Sequence, residues 1–138
     1  DQVDNTVRVI DYKTGAAELI FKDVESLFES GNKKRNKAAF QTLLYCLFYD
    51  MEHGDDLAIS PNVYGLKSIF NSKFSSVLEQ KEGRAKGIPV GSYLAYKQEF
   101  LDGFTDLLEE IFNPAIPFTQ VEDVDVCRTC PYIELCHR

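Results

Sequence analysis

The tightest constraint on the fold is a short β-branched run, Val7-Arg8-Val9-Ile10, that ends on Asp11-Tyr12-Lys13 and turns away at Thr14-Gly15. Branching and alternation make this run a strand. Side chains two apart on a strand leave the same face, so Asp11 and Lys13 project together and Tyr12 projects opposite. Such a pair fits an ordinary surface ion pair, which is worth little. It fits equally well as half of a site for a divalent cation and a reacting phosphate. Asp1-Gln2-Val3-Asp4 precedes a short Asn5-Thr6 link, so residues 1–4 and 7–13 read as an antiparallel hairpin. Pairing about that link is expected to bring Asp1 or a near neighbour alongside the end of the second strand. Two carboxylates beside a lysine suit Mg2+ or Mn2+, which take oxygen ligands. Bound there, the cation would be a Lewis acid and would lower the pKa of a water, while Lys13 would orient that water or stabilise charge on a phosphate.

Asp1, a ten-residue step, then Asp11-x-Lys13 resembles the PD-(D/E)XK nuclease superfamily. Asp11-Tyr12-Lys13-Thr14-Gly15 resembles in particular its RecB-like branch, which includes AddB-like helicase-nuclease subunits. That branch carries Gly-x-x-Asp-Arg-x-Asp before Asp-Tyr-Lys-Thr-Gly, and Asp1-Gln2-Val3-Asp4 matches its second half with Gln2 where arginine is usual. The departure bears on local hydrogen bonding more than on metal binding. The resemblance implies an α/β fold: a restriction-endonuclease-like core with a mixed central β-sheet flanked by helices. It implies Asp1 and Asp11 as metal ligands and Lys13 as the catalytic lysine.

At 138 residues the chain has the size of one domain, with 44% hydrophobic and 12% aromatic residues to build a core. No apolar run approaches a membrane span and the start is no signal peptide, so no membrane role is expected and the expected location is the bacterial cytoplasm. The chain opens on Asp1, itself a candidate catalytic acid. It therefore reads as the C-terminal part of a single nuclease domain, weak or inactive in isolation. In that reading residues 1–66 carry the catalytic motifs, 67–120 complete the sheet and add a long helix, and 121–138 form a cysteine tail. The net charge of −7 argues against binding nucleic acid by bulk electrostatics, so the local distribution of charge matters more than the total.

After Gly15, Ala16–Phe21 is apolar enough for a strand or the start of a helix. Lys22–Ser30 reads as a short packing helix with Asp23 as N-cap, Val24, Leu27 and Phe28 on one face, and Gly31 as the stop. Asn32–Lys37 is the only dense basic run, and it leads into a helix over Ala38–Met51 with Phe40, Leu43, Leu44, Leu47 and Phe48 inside. Lys33, Lys34, Arg35 and Lys37 form a solvated face or, with the free N–H groups of the helix, a site for DNA phosphates. Lys37, Gln41 and Tyr45 form a ladder along this helix, rotating about 40° per step. Gln41 interrupts an apolar stripe, and a buried amide needs partners. Gln41-x-x-x-Tyr45 also resembles the companion motif of the RecB-like nucleases. The resemblance implies that Gln41 supports the metal–phosphate site and that Tyr45 contacts the DNA backbone. Cys46 reads as a buried apolar thiol.

Asp50–Asp56 reads as a polar loop, with His53 exposed. Leu57–Ser60 reads as a strand, Pro61-Asn62 as a turn, and Val63–Leu66 as extended chain. A strand or hairpin is expected near Phe74–Leu78 and again near Ile88–Val90, with Lys81–Gly87 an exposed loop. Ser92–Phe112 reads as a second amphipathic helix striped by Leu94, Phe100, Leu101, Phe104, Leu107, Leu108 and Ile111 and stopped by Asn113-Pro114. Asp102, Asp106, Glu109 and Glu110 form its solvated side.

Cys127-x-x-Cys130-Pro131-Tyr132-x-x-x-Cys136 supplies three thiols within ten residues, which suits iron–sulfur or zinc. Zinc with His137 as fourth ligand would need adjacent Cys136 and His137 to chelate one tetrahedral ion. The tail resembles that of iron–sulfur RecB-like nucleases, which implies a [4Fe–4S] cluster completed by an upstream cysteine. Together the motifs imply a metal-dependent deoxyribonuclease acting on single-stranded DNA ends with a helicase subunit or domain, an exonuclease of a repair and recombination system. The rival readings are an inactive nuclease-fold DNA-binding module and a metal-stapled interaction module.

Overall fold

The computed structural model describes residues 2–3, 5–31, 35–54 and 57–137. Asp1, Lys33 and Lys34 lie outside the described residues. The chain forms two small sheets and two long helices. β1 (Gln2–Val3) pairs antiparallel with β2 (Thr6–Lys13), and β2 pairs parallel with β4 (Ala58–Gly65), so this sheet is mixed. A second sheet joins β3 (Ile20–Phe21) parallel to β5 (Glu79–Gln80), with β6 (Ile88–Pro89) antiparallel beyond it. α1 (Lys37–His53) makes the crossover between the parallel strands β2 and β4. α2 (Lys97–Phe112) follows a one-turn 3-10 helix at Tyr93–Ala95. This is the mixed α/β architecture of a restriction-endonuclease-like core. No helix among the described residues is long and apolar enough to cross a membrane.

The hairpin at the start forms, but its register opposes Gln2 to Val7 and Val3 to Thr6. Gln2 and Val3 therefore lie beside the beginning of β2, four residues or more short of Asp11, and not beside its end. The short link fixes this register from the turn outward.

α1 starts where its cap dictates. Asn36 has an extended backbone and its Oδ1 accepts the Ala39 N–H at 2.9 Å. Gly54 ends the helix in the left-handed region at φ 59°, and its N–H donates to the Asp50 carbonyl. Ala38, Ala39, Thr42, Leu43, Cys46, Leu47 and Asp50 recur at helical spacing and are buried. Phe40 and Leu44 pack partly against this core. Phe48 does not go inside: it is 50% exposed and meets only the edge of Phe104 among the ring contacts. The helix also consumes residues 50–53 of the expected loop, and Asp50 is buried against Lys97 of α2, Nζ to Oδ2 2.7 Å.

β4 runs without a break through Pro61-Asn62, where a turn was expected. The N–H of Val63 donates away from β2, to the Ser76 carbonyl at 2.7 Å. By the alternation of a strand, the nitrogen of Pro61 faces that same side, so proline removes no bond of the parallel ladder. Asn62 is buried and held by Ser60 and Ser76.

Lys22–Ser30 forms no α-helix, only a 3-10 turn at Glu25–Leu27. Asp23 Oδ1 accepts the Ser26 N–H, and Ser26 Oγ donates back to the Asp23 carbonyl. These side-chain bonds close a local turn in competition with helix propagation. Val24 and Leu27 are nonetheless buried as expected. Residues 74–78 supply a single bridge, Val77 to Asn62, and the strand there falls later, at 79–80, whereas the strand expected near Ile88–Val90 forms at Ile88–Pro89. α2 begins at Lys97, later than expected, and buries Phe100 completely. Its later stripe residues Leu108 and Ile111 are exposed. Asn113 ends it, and Asp102, Asp106, Glu109 and Glu110 face solvent.

Candidate active site

The candidate site lies at the C-terminal ends of the parallel pair β2 and β4, against the first turns of α1. Asp11 and Lys13 leave the same face of β2, as the strand period requires. Lys13 Nζ stands 2.8 Å from Asp11 Oδ2 and also donates a hydrogen bond to Gln41 Oε1. Gln41 is 28 residues away in sequence. It reaches Lys13 because α1 returns across this face of the sheet, placing its second turn over the strand end. The amide that interrupts the apolar stripe thus has a partner, and the partner is the lysine.

The contact between Lys13 and Asp11 is an ion pair without hydrogen-bond geometry. Asp11 Oδ2 is buried and has no hydrogen-bond partner. In this structure the oxygen faces the Lys13 ammonium; a carboxylate is also the ligand type that a hard divalent cation takes while retaining waters. Asp11 alone of the two expected carboxylates can be placed, since Asp1 lies outside the described residues. Among the described residues, no three His, Cys, Asp or Glu side chains are gathered as a metal centre. Among the described residues, Asp11 is a carboxylate beside Lys13 that could serve a divalent cation as an oxygen ligand.

A cleft of about 300 Å³ opens beside Lys13, lined by Ala16, Ala17, Glu18, Arg35, Asn36 and Lys37. Arg35 and Lys37 thus flank the lysine as the basic run suggested. The start of α1 lines the same cleft, so the positive end of the helix dipole lies with Arg35 and Lys37 along it. Tyr45 follows Gln41 by one turn and is 41% exposed.

Two residues of this region carry roles that the sequence reading did not single out. Glu18 puts a carboxylate into the cleft wall, and no local pattern marks it. Asn36 is buried and ties the cleft together: its Nδ2 donates to the carbonyls of Glu18 and Ile20, both at 2.9 Å, while its Oδ1 caps α1. The signal for Asn36 was present, because asparagine directly before a helical apolar stripe is a cap signature.

Cys46 is fully buried, and burial pushes its thiol up to about 12. It stays protonated and apolar, as expected. Cys127 is buried, Cys130 and Cys136 are partly so, and all three are free thiols: Cys127 lies on a 3-10 helix at Val124–Thr129, Cys130 directly follows it, and Cys136 ends another at Ile133–Cys136. They are not assembled into a common centre. His53 is exposed and stacks on Tyr49.

No curated protein and no solved structure matches this chain. The family model of the PD-(D/E)XK nuclease superfamily matches residues 1–137. With that match over nearly its whole length and with an acid and a lysine paired at the end of a sheet strand, the chain belongs to the PD-(D/E)XK nuclease superfamily.

Proposed function

We propose that this chain is the nuclease part of a RecB-like, AddB-like deoxyribonuclease that hydrolyses phosphodiester bonds of DNA with Mg2+ or Mn2+, acting on single-stranded ends alongside a helicase subunit or domain. The observation that carries the reading is the convergence of Asp11, Lys13 and Gln41 from segments distant in sequence. Superfamily members generally use divalent metals, and Asp11, beside Lys13, is the carboxylate that would serve such an ion here. A cation bound there supplies Lewis acidity and a water of lowered pKa. Lys13 carries the positive charge that meets the negative charge growing on the phosphoryl oxygens. Gln41 holds the lysine by accepting a hydrogen bond from its ammonium, which fixes that group before substrate arrives. Arg35 and Lys37 take the neighbouring phosphates and so set the strand's path past Lys13. Tyr45 is assigned to the DNA backbone on the strength of the Gln-x-x-x-Tyr resemblance.

The cysteine tail stands outside this chemistry. Its spacing supports Cys127, Cys130 and Cys136 as three ligands of a structural [4Fe–4S] cluster with an upstream fourth. Since the three thiols are not gathered here, no step of hydrolysis is assigned to the cluster.

The test is cleavage of an end-labelled single-stranded oligonucleotide by the intact protein during a Mg2+ or Mn2+ titration. Asp11→Ala is expected to abolish cleavage and weaken divalent binding. Lys13→Ala is expected to retain the metal while cutting about 10²–10³ times more slowly, the typical cost of removing one preorganised charge-stabilising donor. Cleavage by Lys13→Ala at the parent rate refutes the assignment.

A further inference from the structure

We propose that the face of the sheet opposite Asp11 and Lys13 carries a base-stacking surface for single-stranded nucleic acid, built by Tyr12, Tyr64, Phe70 and Phe74 with Lys67 and Lys73. The identity of the ligand rests on the nuclease reading; the surface itself rests on separate residues.

Tyr12 lies between the two candidate catalytic residues and points to the opposite face, where it is 60% exposed. Its ring meets the edge of Tyr64, its register partner on β4, with centroids 5.6 Å apart at 75°. Tyr64 in turn meets Phe74 at 5.6 Å and 89°. Three rings are thus chained edge to face across the strand ends and hold one another in place. Phe70, in the loop between Tyr64 and Phe74, is 98% exposed. Full exposure of a phenylalanine in the loop that joins two of these rings is an unusual expense of apolar surface.

Charge selects the ligand. Residues 57–78 contain Lys67 and Lys73 and not one Asp or Glu, although the chain carries 22 of them and a net charge of −7. Both lysines sit in the exposed loop with Phe70. An apolar protein partner needs no such depletion of acid, whereas a polyanion with exposed ring faces does. Single-stranded nucleic acid offers unpaired bases for the rings and phosphates for the lysines; a duplex hides its base faces. The surface is also continuous with the candidate site. The Leu66 N–H donates to the Lys13 carbonyl at 2.9 Å, so the aromatic loop starts at the catalytic lysine's own backbone. A strand crossing the sheet edge would have one phosphate at Lys13 and its next bases over Tyr12.

The experiment is fluorescence anisotropy of a labelled oligo-dT and of an abasic strand of equal length, with divalent cations chelated so that nothing is cut. Tyr12→Ala and Phe70→Ala remove exposed rings, so circular dichroism should match the parent. Each should weaken oligo-dT binding about tenfold, in the range measured for losing one base–aromatic stack. Tyr12→Phe keeps the ring and should bind as the parent does. The abasic strand should bind more weakly and equally to all of these. Lys67→Ala with Lys73→Ala should flatten the salt dependence for both strands. Unchanged oligo-dT affinity in the ring variants, or equal loss for both strands, overturns the inference. Ring-dependent binding, with an intact protein that never cuts when Mg2+ or Mn2+ is restored, would leave the surface standing and remove the nuclease reading. Asp11-dependent cutting with ring-independent binding would do the reverse.

Discussion

Asn36 joins the fold to the candidate site, and its removal has a cost that can be worked bond by bond. Its Oδ1 caps α1 through Ala39, and its Nδ2 donates to Glu18 and Ile20. Loss of a side-chain N-cap costs about 1 kcal/mol, and each of two neutral hydrogen bonds contributes about 1 kcal/mol net. Asn36→Ala should therefore destabilise by about 3 kcal/mol, with the two carbonyls left to find water. Asn36→Ser can keep the cap but loses both donations, so its cost should be about 2 kcal/mol. The bonds share one residue and one loop, so strict additivity is not required, only the ranking. Urea unfolding followed by far-ultraviolet circular dichroism measures both variants, with an unchanged slope required for comparison. At the size of this domain, each kcal/mol should also lower Tm by roughly 3–5 °C. The same side chain sets where α1 starts relative to the strand that follows the Asp11–Lys13 motif. Asn36→Ser should thus reduce cleavage under conditions where the protein is fully folded, by shifting Gln41 against Lys13. The reasoning is refuted if Asn36→Ala costs under 0.5 kcal/mol, or if serine costs as much as alanine.

The other predictions concern buried groups away from the site. Asp50 is buried with Lys97 as its cation, and the lysine is itself half exposed; Lys97→Ala should cost about 1–3 kcal/mol by leaving the carboxylate unpaired, whereas Lys97→Arg should recover most of it, as read by urea midpoints. Cys46 should resist a thiol reagent until the domain unfolds, because burial holds it protonated near pKa 12; fast labelling of Cys46 in the native protein, mapped by mass spectrometry, would contradict its place in the core.

The pairing of Asp11 with Lys13, the extent of α1 to within two residues, the burial of Cys46 and the stop at Asn113 were legible in the sequence. Each depends on a short-range rule: the two-residue period of a strand, the cap and stripe of a helix, the apolar character of a thiol among leucines. The contact of Lys13 with Gln41 was approached through a motif, but nothing local says that residues so far apart will touch. Only the βαβ crossover of β2, α1 and β4 does that, by laying one turn of the helix over one strand end. The same limit explains the misreadings. Pro61 breaks a strand when both its edges are paired, and which edge faces its partner is a property of the sheet. Phe48 and Ile111 carry the helical stripe outward because a stripe states which residues can be covered, while the packing of neighbouring elements decides how far the cover extends. Asp50 is polar in every window of sequence and becomes buried only because α2 brings Lys97 to it. The residue types and their periods set the elements and the chemistry on offer; the long-range contacts decided which of those groups meet, because pairing energy between distant segments has no signature within either one.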